Sequence, residues 1–329
     1  MGRHICVAPG SINIDLILKT DSLKGPKTFK GDYTESQGGK GLNQAVAARL
    51  ASKAEAEVYL VGCVGRDRRG DQAVADLRAK GVRVDYTRVT DEARTGVVLE
   101  YLYGDGEVTI GLGLGANNEV AVADIDCAGE VIRSARILLS QIESPIDVVE
   151  HAIHMAKSNG VMTFLDPSVV PEEGEDRERL FHDILPQVDI LAPNRSEALA
   201  LTGVCIDDTR AAMAAAEILL EIVEIAVITM GREGALVARG RDYHIVPGLP
   251  VKAIDAGAAG DTFRGSFCAV LAEISAAREP GVEGILFEDL GAAAEFGNAA
   301  AALSVTRSGA CPSIPTRAEI QEFRRTMAP

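Results

Sequence analysis

Short apolar runs alternate with segments of helical periodicity over most of this chain. The runs in HICVAPG (4–10), VYLVGCVG (58–65), RILLSQIES (136–144), VMTFLDPS (161–168), VDILAPN (188–194) and IAVITMG (225–231) are apolar on both faces. That pattern marks strands buried on both sides. Between them, GLNQAVAARLAS, GDQAVADLRAKG, PIDVVEHAIHMAKSNG, SEALALTG and TRAAMAAAEILLEI carry the helical period. The alternation predicts an α/β fold, doubly wound, with a mainly parallel sheet covered on both faces. Functional loops then belong at the carboxyl ends of the strands.

Two stretches break the rhythm. Residues 11–38 alternate like strands with Gly, Pro and Lys punctuation, and residues 95–112 read as two strands joined at GDG, a tight-turn signal. Together they predict a small β-sheet lid on 11–38 and 93–115, projecting from a core of 1–10, 39–92 and 116–329. A decorated edge of the main sheet is the alternative. GALVARGRDYHIVPG reads as a further hairpin, and FGNAAAALSVTRSGACPSIP as a helix followed by a tight loop.

Composition narrows the class of function. The 329 residues are 47% hydrophobic and 25% charged, enough to bury a full core. A net charge of −15 argues against nucleic acid or an anionic membrane surface as partner, so a phosphate-bearing ligand must be held by local devices. No apolar run reaches membrane-spanning length, and MGRHICVAPGS lacks the regions of a signal peptide. The six cysteines lie far apart without a CxxC pair and read as buried, reduced thiols of a cytoplasmic protein. His151 and His154 share a helix face, but no third metal ligand lies nearby.

The chemistry sits in glycine-rich junctions. SQGGKGLNQ fails the P-loop pattern because Gly41 follows Lys40, and GLGLGANN (111–118) fails the dinucleotide pattern and reads as a flexible connection out of the lid. GGKGLNQAVAARLA is stronger: Gly38, Gly39 and Gly41 permit close backbone approach, and Lys40 and Asn43 fall on the first turn of a helix. Upstream, Asn13 and Asp15 share one face of GSINID, a pairing suited to vicinal hydroxyls or to plain strand alternation. Asn194 and Glu197 stand at a strand-to-helix junction, as a helix cap or as oxygen groups near Mg²⁺. Thr229, Gly231 and Gly234 in ITMGREG make a loop able to lie against a nucleotide, or a hairpin turn.

DAGAAGDTFRG (255–265) puts an aspartate behind nearly bare backbone. The N–H groups of Ala258, Ala259 and Gly260 would face a phosphate at the positive end of a helix. Asp261 there is either an N-cap or a base accepting the proton of an alcohol that attacks phosphorus.

In order and spacing, GSINID, GGKGLNQAVAA, QIES, APNRSE, ITMGREG, DAGAAGDTFRG and VTRSGACPSIP resemble the ribokinase-like carbohydrate kinases, with GGKGxNQAVAA nearest the ribokinase form. The resemblance implies ATP-dependent phosphorylation of a sugar's primary hydroxyl, ribose first, in a cytoplasmic enzyme with a nine-stranded core and a lid that often makes a homodimer contact. It implies Asp261 as catalytic base, Ala258 to Gly260 as anion hole, and Asn13, Asp15, Gly39, Lys40, Asn43 and Glu143 as sugar contacts. Asn194, Thr229, Gly231, Gly234 and Asn298 then touch ATP, with Glu197 near Mg²⁺. Asp255, Gly257, Ser304, Arg307, Gly309 and Ser313 correspond to a monovalent-cation loop, usually K⁺, mostly through carbonyl oxygens. Alternatives within the class are kinases for deoxyribose, for fructose or another hexose, or for a nucleoside; outside it stands a non-catalytic sugar-binding regulator. The chain departs from the family at Arg264 and Asp166, where relatives carry Asn, and at Arg195, which replaces an acid.

Overall fold

The computed structural model describes residues 4–20, 30–103 and 108–327. Its strands are β1 (Ile5–Val7), β2 (Asn13–Thr20), β3 (Asp32–Gly38), β4 (Val58–Leu60), β5 (Gly62–Gly65), β6 (Thr87–Thr90) and β7 (Gly96–Tyr103). They continue with β8 (Val108–Gly113), β9 (Ile137–Gln141), β10 (Met162–Asp166), β11 (Ile190–Leu191), β12 (Ile225–Thr229), β13 (Gly234–Arg239) and β14 (Asp242–Pro247). Eight strands form the main sheet in the order β14-β13-β12-β11-β10-β9-β1-β4. From β4 to β12 every pairing is parallel, and the hairpin β13–β14 closes one edge antiparallel.

Alternate residues of each strand feed two separate cores. Val7, Leu139, Phe164, Ile190 and Val227 pack under the helices Lys40–Ala51, Ala259–Ser275 and Phe287–Ser304. Cys6, Leu138, Leu165, Leu191 and Ala226 pack under Ile146–Lys157, Arg195–Thr202 and Thr209–Leu219. Apolar residues on both faces are what a doubly covered parallel sheet requires.

The expected ninth core strand is not part of this sheet among the described residues. VYLVGCVG breaks at Val61: β4 stays in the main sheet, while β5 leaves it and pairs with β6 in a two-stranded ribbon. The second sheet, β3-β2-β7-β8, is built from the two stretches that break the α/β rhythm. Residues 21–29 of the first stretch and the GDG turn at 104–106 lie outside the described residues, as do residues 1–3.

GLGLGANN is not a loose connection. Gly111 and Gly113 are strand residues of β8, and the 3₁₀ turn Gly115–Glu119 carries Asn117, which is fully buried. All six cysteines are free; Cys6, Cys63, Cys268 and Cys311 are buried, whereas Cys127 and Cys205 are exposed, contrary to a uniformly buried set. His151 and His154 turn to different partners, Asp126 and Gln187. No helix among the described residues is long and apolar enough to cross a membrane.

Candidate active site

The site begins where two helices meet. Helix Ala259–Ser275 lies directly against helix Lys40–Ala51, and a Cβ on Gly265 would run into Ala47 Cβ at 2.6 Å. Gly265 therefore sets the approach that brings the first turns together. Asp261 in one first turn then receives donors from the other: Asn43 Nδ2 donates to Oδ2 at 3.0 Å and Gln44 Nε2 to Oδ1 at 2.9 Å. Burial pushes the Asp261 carboxyl up from the ordinary range, and Asp166 adds to it, while Lys40 and the two amides pull the other way. Burial alone would lower the Lys40 ammonium, but Asp166 and Asp261 outweigh it and hold its pKa above the usual lysine range. An aspartate held by two amides beside a lysine is oriented without being neutralised by a direct ion pair.

Of the three anion-hole donors expected, Ala259 N–H is taken by the Ala256 carbonyl at 3.2 Å. Ala258 precedes the helix as its cap residue, and Ala259 and Gly260 line the cleft in front of Asp261.

On the side of the second sheet, Asn13 and Asp15 occupy one face of β2, 3% and 5% exposed. Asn117 fixes this strand: Ile12 N–H donates to its Oδ1 at 2.8 Å, and its Nδ2 donates to Asn13 Oδ1 at 2.8 Å. Asp15 lies against Gly38, where a Cβ would collide with its carboxylate. Burial, then Glu100 and Asp261, push the Asp15 carboxyl up to about 7. Gly39 takes φ +92°, a conformation favoured only for glycine, and turns the chain into the helix that carries Lys40 and Asn43. Glu143 accepts from Ser11 Oγ at 2.6 Å, and burial raises its pKa. Asn43 is nearly buried with its amide nitrogen spent on Asp261, and its Oδ1 has no partner. A buried acceptor left open beside Asp261 suits a hydroxyl-bearing ligand.

Beyond Asp261 runs a cleft of about 610 Å³. Lys40, Gly260 and Asp261 line it together with Asn194, Thr229, Gly231, Gly234 and Asn298. Gly231 and Gly234 have φ +62° and +96°, and they frame the 3₁₀ turn that joins β12 to β13. This junction is both the tight connection and the cleft wall. Asn298 is tied to the Pro247 carbonyl at 2.8 Å. Arg195, another lining residue, pairs with Glu233 at 2.6 Å.

Glu197 is placed differently from the expectation of a residue near Mg²⁺. It lies beneath the wall, its carboxylate accepting from Asn194 N–H (2.8 Å), Asn194 Nδ2 (2.6 Å) and Arg264 Nη2 (3.2 Å). Asn194 returns a bond to Glu197 N–H, so the capping alternative is realised in the structure. Among the described residues no three His, Cys, Asp or Glu side chains converge on a metal position.

The proposed cation loops do meet. Asp255 accepts from Gly257 N–H and Gly309 N–H, both at 2.9 Å, and Val305 O accepts from Ile254 N–H. Arg307 turns its guanidinium to Glu319, while the Ser304 and Ser313 hydroxyls bond to carbonyls in their own turns.

Several residues of the site carried no prior assignment: Ser11, Gln44, Asn117, Gln141 and, in its buried role, Asp166. Gln44 donates to Asp166 Oδ2 at 2.7 Å as well as to Asp261, and accepts from Gln141 at 2.8 Å.

Comparison with known proteins agrees with this geometry. The model of the pfkB family of carbohydrate kinases matches residues 4–317. A ribokinase of Haemophilus influenzae is 35% identical over 325 residues, 98% of each chain. The Schizosaccharomyces pombe ribokinase is 32% identical, with 95% of this chain and 96% of that one covered. Among solved structures, Giardia lamblia ribokinase superposes with a TM-score of 0.88 at 27% identity over 99% of both chains. Arabidopsis thaliana ribokinase, solved in complex with ribose and ATP, gives 0.81 at 27% identity over 97% of both. With its fold and its full-length matches in accord, the chain belongs to the pfkB family of carbohydrate kinases.

Proposed function

We propose that this chain is a ribokinase: it transfers the γ-phosphoryl group of ATP to the primary hydroxyl of ribose, with Asp261 as general base. The observation that carries the reading is the place of Asp261, buried with its carboxylate held by Asn43 and Gln44 and lining a cleft of nucleotide size. Asn13, Asp15, Asn43 and Glu143 hold the sugar, and Gly39 lets its backbone come close. The primary hydroxyl gives its proton to Asp261 as the oxygen attacks phosphorus. Lys40 and the free N–H groups at the head of helix Ala259–Ser275 stabilise the charge on the transferring group. Asn194, Thr229, Gly231, Gly234 and Asn298 hold the nucleotide.

Mg²⁺, when bound, neutralises phosphate oxygens, and the donor set suits an ion carried mainly by those phosphates and water. K⁺ fits the paired loops at Asp255–Gly257 and Ser304–Ser313, through carbonyl oxygens beside one carboxylate. An ATP-consumption assay over a panel of sugars, with and without K⁺, tests the whole reading. Ribose is expected to be the best substrate and K⁺ to raise the rate. A hexose or nucleoside preferred over ribose would overturn the substrate.

The raised pKa of Asp15 has a consequence for sugar binding. The ionised carboxylate accepts hydroxyl protons better than the neutral acid, so ribose affinity should fall as pH drops below about 7. Titration calorimetry across pH 5.5 to 8.5 checks this, roughly tenfold per pH unit being the ceiling for one proton. Asp15→Asn should bind weakly with a flat profile, and an equally steep profile in that variant would acquit Asp15.

A homodimer through the lid completes the reading. Ile110 and Leu112 stand 58% and 52% exposed on the sheet face that carries Asn13 and Asp15. A second copy of the same sheet is the occupant we assign to this apolar face. Ile110→Asp is expected to sediment as a monomer where the parent sediments as a dimer.

A further inference from the structure

Arg264 and Asp166 meet in the interior beneath the site. Arg264 is 2% exposed and Asp166 0%, with Nη1 and Oδ2 3.2 Å apart. The guanidinium also donates from Nε and Nη2 to the Ala192 carbonyl, at 3.0 and 2.8 Å, and reaches Glu197. Asp166 in turn takes Ser168 N–H on Oδ1 and Gln44 Nε2 on Oδ2. The same Gln44 nitrogen donates to Asp261, while Gln141 Nε2 occupies Gln44 Oε1. Gln44 is fully buried, and every polar atom of its amide is used. Its amide cannot flip without setting its oxygen against two carboxylates.

We propose that Arg264 is a positioning residue for phosphoryl transfer: with Asp166 it forms a buried ion pair that locks the Gln44 amide and thereby aims the Asp261 carboxylate. The inference rests on the reading of Asp261 as base. A neutral pair of amides at 166 and 264 can span the same gap by hydrogen bonding, whereas a single replacement leaves one charge unmatched.

The charges facing Asp261 fix the signature. They are Lys40 from the opposite helix, Asp166 from the end of β10, Arg264 one turn on, Asp15 from β2 and Glu143 beyond β9. Removing Arg264 leaves Asp166 to repel the ionised base, so the acid limb of activity moves to higher pH. Removing Asp166 moves it to lower pH. A role in packing alone would not shift the limb in opposite directions.

The test is the pH profile of kcat/KM for ribose in the full-length protein, its Arg264→Asn and Asp166→Asn variants and the double variant, with thermal melting in parallel. Each single variant should lose on the order of tenfold or more in kcat with less change in KM, and the double variant should recover most of it. The limbs should move by roughly one pH unit, up for Arg264→Asn and down for Asp166→Asn. If Arg264→Asn does not fold, the downward shift in Asp166→Asn and its reversal in the double variant carry the same information. Limbs fixed at the parent position, or a double variant no better than the worse single, overturn the proposal. Undiminished turnover in Asp261→Asn would remove the base itself and this inference with it; a dead Asp261→Asn beside unmoved limbs removes the inference alone.

Discussion

Asp261→Asn is expected to leave a folded protein that binds ribose and ATP while turnover falls by about 10²–10⁴-fold. The substitution keeps shape and removes only the proton acceptor. Its effect on the fold is small for a reason visible around the side chain. The new amide must point its nitrogen at one of two donors, Asn43 Nδ2 or Gln44 Nε2. Gln44 cannot turn, because Asp166 and Gln141 hold both ends of its amide. Asn43 can, because its Oδ1 has no partner, and a flip places that oxygen against the new nitrogen. The variant therefore accommodates the amide on the Asn43 side. Steady-state rates, melting and calorimetric binding of ribose, measured on one preparation, check all three expectations. Turnover at the parent rate would exclude Asp261 as base, and loss of folding would show that its charge is structural.

The layers of this fold were legible because its strands are apolar on both faces and its helices keep their period. The second sheet was legible from the loss of that period at 11–38 and 95–112. The path of β5 was not, since nothing in VYLVGCVG distinguishes a strand that continues from one that breaks at Val61 and joins another sheet. At the site, residues that meet along one local segment could be read: Asn13 with Asp15, Lys40 with Asn43, Asn194 with Glu197. Those defined by distant contacts could not. Asn117 lies 104 residues from Asn13 and reads as part of a glycine-rich connection until the turn that buries it is seen. Gln44 stood inside a recognised motif, but its partners come from strands near 141 and 166 and a helix near 261. The departures at 166 and 264 were visible singly; their pairing was not, because a one-chain sequence carries no sign that two positions 98 residues apart touch.

That pairing yields the largest expected effect on stability. Arg264→Met keeps much of the side-chain volume and removes the cation from between Asp166 and Glu197, which are 0% and 7% exposed in their side chains. Glu197 retains its two bonds from Asn194, and Asp166 retains Ser168 N–H and Gln44, so hydrogen bonding survives while charge balance does not. Breaking a buried pair by removing one partner costs about 3–5 kcal/mol, because the remaining charge is left uncompensated in a medium that solvates it poorly. Against a typical total of roughly 5–15 kcal/mol, that is a large share of what holds the chain folded. The sign of the pH dependence follows from the same charge. Burial and Asp166 push the Glu197 carboxyl up and Arg264 holds it down, so without the guanidinium it rises further and protonation relieves the folded variant: the deficit is full near neutral pH and narrows as pH falls. Adding Asp166→Asn removes the stranded charge and should return a substantial part of the loss. Urea unfolding of the parent, single and double variants at pH 7.5 and pH 5 measures each step. A single variant as stable as the parent at pH 7.5, or a deficit that grows on acidification, would mean that the guanidinium balances no charge there and serves only to fill space.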